Sequence, residues 1–582
     1  MQAPACVIAC GRLVESPEED AMTLAPLRPA ALAALALGLS GATVLAQDDP
    51  HAACAAMGWV PREVLQRPVG LRDGAGALHD PVTTRSREAQ ALYDQGVAYL
   101  HSYVWIEAAR SFNEALRHDP DLALAYIGLS RVYSGLEDPA DARAAARRAE
   151  ALAAGVSARE RRRIGLRAKQ LDAMDDPPDA EKHAAYKKAI DDALAADGSD
   201  PELWLLRGNA EERWASGRGQ RGEAASVPFY ERALALVPDH FAAHHYLVHS
   251  CENVGRIDDA LRHGEAYARL APAVPHARHM YGHDLRRVGR VEDAIAEFRR
   301  AYDLEMAYYA AEKLPAAIDW HHPHNLDLLA GCHQHQGQMK TAEAYMRESL
   351  AIPAVTDGRE FNKKEWGVFL LALGRTDEAL AAGRELAGGR WPATRAVGHV
   401  LAGHALVATG QTAGAREELD AAERESQQLG SGAAGISRSS VDPYVDGLRG
   451  ELLLREGRRA EAEELLKDVE RRIRAVPGPD AWTEALYRLE AVARAARAAG
   501  DWDLAAYTAG QMRDHDPAYA GTHYAAGLVA EHRGDAAGAA HEFAAAVALW
   551  KDADPDLPAL RDARARAGQS GVPARPTGGS AR

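Results

Sequence analysis

Two short stretches hold the residues best able to do chemistry. "HHYLVHSCE" runs from His244 to Glu252, and "PHARHMYGHD" from Pro275 to Asp284. His245 and His249 are four apart, as are His279 and His283. On a helix, residues at that spacing lie one above the other on a single face. An imidazole pair separated by one turn can chelate a metal through two ring nitrogens. Two such pairs on neighbouring helices, about 10 Å apart, can together close a His-rich site. Glu252, His276, His324 and Asp327 are placed to complete it or act beside it. "DWHHPHN", Asp319 to Asn325, adds His321 and His322 at its rim. Imidazole suits Zn, Cu, Fe or Ni, and the sequence does not choose among them. Two other readings stay open: hydrogen-bonded packing histidines, and a groove that responds to mildly acidic pH.

Other chemistry is poorly represented. There is no His-Glu-x-x-His motif, no Gly-x-Ser-x-Gly elbow, no phosphate loop and no dinucleotide fingerprint. Of the five cysteines, Cys251 and Cys332 fall near the histidines, and their small apolar side chains read as helix packing. No Cys-x-x-Cys pair marks a zinc ribbon. The net charge of −16 repels phosphate and argues against a nucleic-acid partner. The basic run Arg159–Gln170 reads as a solvated helix face.

The elements that must position the histidines are helices. Alanine and leucine dominate, and β-branched runs are nearly absent. The length of 582 residues exceeds one globular core unless it is built from repeats. Residues 1–46 read as a spurious extension followed by a signal peptide. In the second part, starting at Met22, Arg28 precedes an apolar run from Ala30 to Ala46 that ends in Val44-Leu45-Ala46. That run is too short and too broken for a convincing membrane span. The expected location is periplasmic or secreted, with no stable membrane insertion after cleavage. Residues 47–86 are expected as a linker.

From Arg87 a pattern recurs. In "ALYDQGVAYLHSYVWIEAARSFNEALRHDPDLA", Gly96 and Tyr99 sit on one helix, Ala108, Phe112 and Ala115 on the next, and Pro120 ends the unit. The same markers return at Gly282, Gly289, Ala294 and Phe298, at Gly450, Gly457 and Ala462, and at Gly527, Gly534, Ala539 and Phe543. This resembles the tetratricopeptide repeat, a helix-turn-helix unit of about 34 residues. The resemblance implies an all-α, right-handed α-solenoid with a concave and a convex face. It spans residues 87–428 and 443–567, with a flexible connection at 429–442 and a disordered tail at 568–582.

In that family the first helix of each unit lines the concave groove. By this register Tyr93, His101, His245, His249, Glu252, Asn253, His276, His279, His283, Arg286, Arg287, His324, Asp327 and His335 face the groove, while His244 and His333 fall at packing positions. The segment 240–340 thus turns imidazoles and carboxylates toward one stretch of concavity. The two motifs also resemble a group of bacterial tetratricopeptide proteins with His-Tyr-Leu-Ile-His and Pro-His-x-x-His-Met-x-x-His, for which we know no established activity. The match carries over His245, His249, His276, His279 and His283. This chain departs at Tyr281-Gly282 and Cys251-Glu252. The expected function is an exported scaffold whose groove engages a peptide or protein partner. The alternative is a metal-binding protein or metal-dependent enzyme centred on these histidines.

Overall fold

A computed structural model describes residues 60–174, 179–215, 217–430, 436–476 and 478–569. The expected leader at 1–46 and residues 570–582 of the expected tail lie outside them. Among the described residues there is no β-strand. A short α1 (Arg62–Leu65) precedes a succession of antiparallel helix pairs. The first pairs are α2 (Arg87–His101) with α3 (Trp105–His118), and α4 (Ala123–Gly135) with α5 (Pro139–Leu152). Next come α6 (Ala158–Ala173) with α7 (Ala180–Ala196), and α8 (Pro201–Asn209) with α9 (Val227–Leu236). The His-rich segment is α10 (Phe241–Asn253) with α11 (Ile257–Leu270), α12 (Pro275–Arg287) with α13 (Val291–Glu312), and α14 (His321–His335) with α15 (Met339–Ala351). After α16 (Asp357–Asn362) follow α17 (Lys364–Ala372) with α18 (Thr376–Ala387), and α19 (Pro392–Ala408) with α20 (Thr412–Gln427). The last are α21 (Arg438–Arg455) with α22 (Arg459–Arg474), α23 (Pro479–Ala498) with α24 (Trp502–His515), α25 (Ala520–His532) with α26 (Ala536–Leu549), and α27 (Pro558–Gln569). Helix α21 begins inside the stretch expected as a flexible connection.

The small residues explain the pairing. A β-carbon on Gly282 of α12 would lie 2.9 Å from the ring of Phe298 on α13. One on Gly527 of α25 would lie 2.7 Å from Phe543 on α26. Glycine therefore lets the two backbones of a unit approach over a buried aromatic ring. The turn between paired helices adopts the left-handed region. Gly255, Gly289, Gly337, Gly374, Gly410, Gly457, Gly500 and Gly534 occupy it with φ between 71° and 78°. In the first two units the same turn is filled by Tyr103 (φ 56°) and Glu137 (φ 59°), where a β-carbon costs roughly 1–2 kcal/mol.

The repeats curl until distant parts meet. Residues 60–86, expected as a linker, pack across the His-rich pairs. Gly74 O accepts from Ala273 N at 3.0 Å, Gly76 sits against the ring of Phe241, and Arg72 pairs with Glu312 and Glu107. Trp320 Nε1 donates to Tyr103 O at 3.3 Å. From the other end, Arg286 pairs with Asp516 at 2.8 Å. Tyr487 Oη donates to Gly331 O at 2.8 Å, and Asp554 N donates to Gly337 O at 3.0 Å.

The basic run Arg159–Gln170 is not a solvated face. Arg163 is buried between Asp80 and Asp200. Arg167 is buried with Nε donating to Ser130 Oγ and Nη2 to Ser130 O, both at 2.9 Å. The cause is an inter-repeat junction that the local charge pattern does not reveal. Buried guanidinium groups persist there because each has specific partners.

Candidate metal centre

Helices α10, α12 and α14 carry the candidate residues side by side. His245, His249, His276, His279, His283 and His324 are all buried, none more than 3% exposed. They form two triads. His245, His249 and His276 make the first, and His279, His283 and His324 the second. In each, one ring nitrogen per residue lies within 4.8 Å of the others. In the first triad His245 Nε2 is 3.1 Å from both His249 Nε2 and His276 Nε2. Three imidazoles around one ion, with metal–nitrogen bonds of about 2.0–2.1 Å, place their nitrogens about 3.3–3.5 Å apart. The spacing is already close to that.

Neighbouring groups fix which nitrogen points inward. His245 Nδ1 lies 2.6 Å from the carbonyl of His101. A carbonyl only accepts, so Nδ1 carries the hydrogen and Nε2 keeps its lone pair for the centre of the triad. His101 ends α2, so this carbonyl is one that the helix itself leaves without a partner. Asn325 settles His279 in the same way. Its Nδ2 donates to Phe298 O at 3.0 Å, which leaves its Oδ1 as the acceptor for His279 Nδ1 at 2.9 Å. The lone pair of His279 Nε2, buried and without a hydrogen-bond partner, then faces the second triad.

The triads share a wall. The rings of His276 and His279 stack with centroids 5.8 Å apart. His321 lies 5.2 Å from His276 and 4.5 Å from His279, centroid to centroid. Its Nδ1 donates to Glu305, whose other oxygen accepts from His322 Nδ1 at 2.7 Å. His321 Nε2 is buried without a partner. Trp320 packs on His276, and Tyr103 lies 4.7, 5.3 and 6.1 Å from the rings of His245, His276 and His249.

Burial dominates the electrostatics. It pushes His245 down to about 3 and holds His276 and His279 well below the usual imidazole value. These rings are neutral at physiological pH, the protonation state of a ligand. Burial raises Glu252 to about 7, and burial together with Glu252 raises Asp284 well above the carboxylate range. It also raises the thiols of Cys251 to about 11 and Cys332 to about 12. Neither is a thiolate at neutral pH, which argues against a Cys–His nucleophile.

The remaining candidates are occupied within the chain. Tyr93 Oη donates to Asp80 at 2.8 Å. His101 bridges Tyr246 and Glu202, each at 2.7 Å. Asn253 donates to Gln220 O and Gly222 O. Arg286 lies over Trp482 and pairs with Asp516. Arg287 donates to Glu252 O, and the carboxylate of Glu252 lies 3.9 Å from Arg287 and from His283. Asp327 accepts from Ser349 and Arg359. Each of these seven expected groove residues thus has partners within the chain, and those of Tyr93 and Arg286 come from its two ends. His244 is a packing residue as expected, with Nδ1 2.9 Å from His263 Nδ1.

Sequence reasoning put His321 at the rim and passed over Tyr103, Glu305, Trp320 and Asn325. One signal was available for Tyr103: it stands where eight later units place glycine.

No family model matches the chain, and no curated protein matches it significantly. Solved structures do. Yeast Tom70 is 12% identical over 83% of this chain and 95% of its own, with a TM-score of 0.32. YrrB, described as a TPR protein with an unusual peptide-binding site, is 20% identical over 35% of this chain and 98% of its own, with a TM-score of 0.21. MamA from Desulfovibrio magneticus RS-1 is 20% identical over 29% of this chain and 85% of its own, with a TM-score of 0.24. Helix pairs recur along the described residues, several with glycine against a buried aromatic ring. The fold is an all-α helical repeat. Among the described residues no helix is long and apolar enough to cross a membrane.

Proposed function

We propose that this protein is an exported metal protein whose tetratricopeptide-type repeats serve as the scaffold of a buried His-rich centre. The observation that carries the reading is the convergence of two buried imidazole triads, each with one ring whose inward lone pair is fixed by its neighbours. Most buried side-chain polar atoms have a hydrogen-bond partner. Here His276 Nδ1, His279 Nε2 and His321 Nε2 are buried without a hydrogen-bond partner, and a cation in the second triad would relieve His279 Nε2. The candidate ligands are His245, His249 and His276 at one position and His279, His283 and His324 at the other. The ion is a transition metal of the Zn, Cu, Fe and Ni group. A small cavity lined by His283, Arg286, Arg287, Cys332, Trp482 and Thr483 adjoins the second triad. Elemental analysis of untagged protein from its exported compartment tests the reading. Bound transition metal, lost in the His249→Ala, His283→Ala double variant, supports it. Metal binding that survives in that variant overturns the ligand set.

A second reading is favoured by a different surface. Between α17 and α24 a cleft is walled by Val368, Leu371, Val400, Leu466 and Val492 and edged by Arg455 and Arg494. It keeps partner binding in play, at a place other than the His-rich concavity. An amphipathic peptide or protein segment is the chemistry that fits it.

A further inference from the structure

The two triads are close enough to be judged as one site, and their donor set narrows the ion. We propose that they hold a pair of copper ions, cuprous in the reduced state, one on His245, His249 and His276 and one on His279, His283 and His324. The inference rests on the metal-binding reading above and specifies its cofactor.

Three observations lead there. First, the donors are neutral. The two groups of candidate ligands contain histidine alone, with no carboxylate and no thiolate. Two carboxylates lie near the triads without belonging to either: Glu305 accepts from His321 and His322, and the buried Glu252 lies 3.9 Å from His283 and Arg287. Iron(II) in open sites takes a carboxylate with two histidines, and Mg, Ca and Mn prefer oxygen. Second, the site is sealed, with all six rings buried. The triads also share a wall in which His276 and His279 stack at 5.8 Å. Repulsion between two ions scales with the product of their charges. Two divalent ions thus repel four times as strongly as two monovalent ions at the same separation, whatever the dielectric. With no anionic ligand to offset it, that penalty falls on Zn and Ni and spares Cu(I). Third, each position offers three imidazoles and then apolar or aromatic walls: Tyr103 and Trp320 on one side, Phe298 on the other. Structural zinc is almost always four-coordinate, whereas a cuprous ion is satisfied by three nitrogens. When oxidised, copper also heads the affinity order of divalent ions for nitrogen donors.

The test is an anaerobic titration of the purified full-length chain, stripped of metal, with Cu(I) against a chromophoric cuprous chelator, repeated with Zn(II). Two tightly held cuprous ions per chain are expected. His249→Gln and His283→Gln should each lose one. X-ray absorption on the unaltered, copper-loaded chain should give a shell of three imidazole nitrogens, which covers the case of a variant that does not fold. Displacement of Cu(I) by equimolar Zn(II) overturns the copper assignment. A single ion per chain, or sulfur in the shell, overturns the paired site. Failure to bind Cu(I), Zn(II), Ni(II) or Fe(II) at all overturns the metal-binding reading itself, and so separates the two failures.

Discussion

His245 donates from Nδ1 to the main-chain carbonyl of His101 at 2.6 Å, across 144 residues of sequence. The last turn of the first helix of the first repeat therefore orients the ring that anchors the first triad. That turn is itself pinned by the His101 side chain between Tyr246 and the buried Glu202.

His101→Ala is expected to leave Tyr246 and Glu202 buried without their partner. A buried group left without its hydrogen-bond partner costs about 1–3 kcal/mol, and urea unfolding would show it. Release of the turn should also weaken metal binding by about 10–100-fold, the usual penalty for losing an outer-shell partner. Unchanged metal affinity in a destabilised variant would mean that the carbonyl does not orient the ligand.

Tyr103 gives a test in which backbone and side chain pull in opposite directions. Tyr103→Gly removes a β-carbon from a left-handed turn and should relieve about 1–2 kcal/mol of backbone strain. It also removes the ring that walls three imidazoles. We expect the variant to retain the fold but hold metal more weakly. Tyr103→Phe, which loses only the bond to Arg218 O, should cost about 1 kcal/mol of stability and leave metal content unchanged. Parallel thermal melts and metal analyses of the two variants decide it.

Asp516 carries much of the closure from the C-terminal side, since it pairs with both Arg286 and His335. Asp516→Ala strands a buried guanidinium, at a cost of about 3–5 kcal/mol. Hydrogen exchange should then rise in α12, α14 and α25 ahead of α19 and α20, which lie outside this junction. Uniform acceleration across the chain would contradict a local closure.

The same junction sets a pH dependence. Burial, followed by the Arg286 charge, pushes His335 down to about 4. Between about pH 6.5 and 4 the opened chain therefore binds a proton that the closed chain does not. Stability from this group is complete above about pH 6.5 and is lost as pH falls toward 4. Against burial, Arg286 and His335 hold Asp516 below the ordinary carboxylate value of 3.8, which adds a further loss below that pH. The melting temperature of the protein stripped of metal should decline through this window, and His335→Asn should flatten the decline between pH 6.5 and 4.

The repeat was legible because its signals are local. Gly282 above Phe298, and glycine at the turns, follow from a unit whose two helices are adjacent in sequence. Four of the six triad histidines were legible for the same reason: the spacing of four in His245/His249 and His279/His283 fixes a shared helix face. What was not legible depends on superhelical closure. That His101 would meet His245, or Arg286 meet Asp516, follows from small rotations summed over many units, and no single unit encodes the sum. Contacts between neighbouring repeats were hidden for a related reason: Arg167 meets Ser130 and Asp327 meets Arg359 only once adjacent units dock.

The covering residues have a further consequence through their position in the chain. Asp516 lies 230 residues beyond Arg286 and 181 beyond His335. During synthesis the histidine helices emerge long before the repeats that roof them. For that interval the imidazoles face solvent, and delivery of an ion need not breach any finished wall. Once the last repeats dock, exchange is limited by how often the roof lifts. On the proposed metal reading, occupancy of the second triad would then reflect the conditions of maturation.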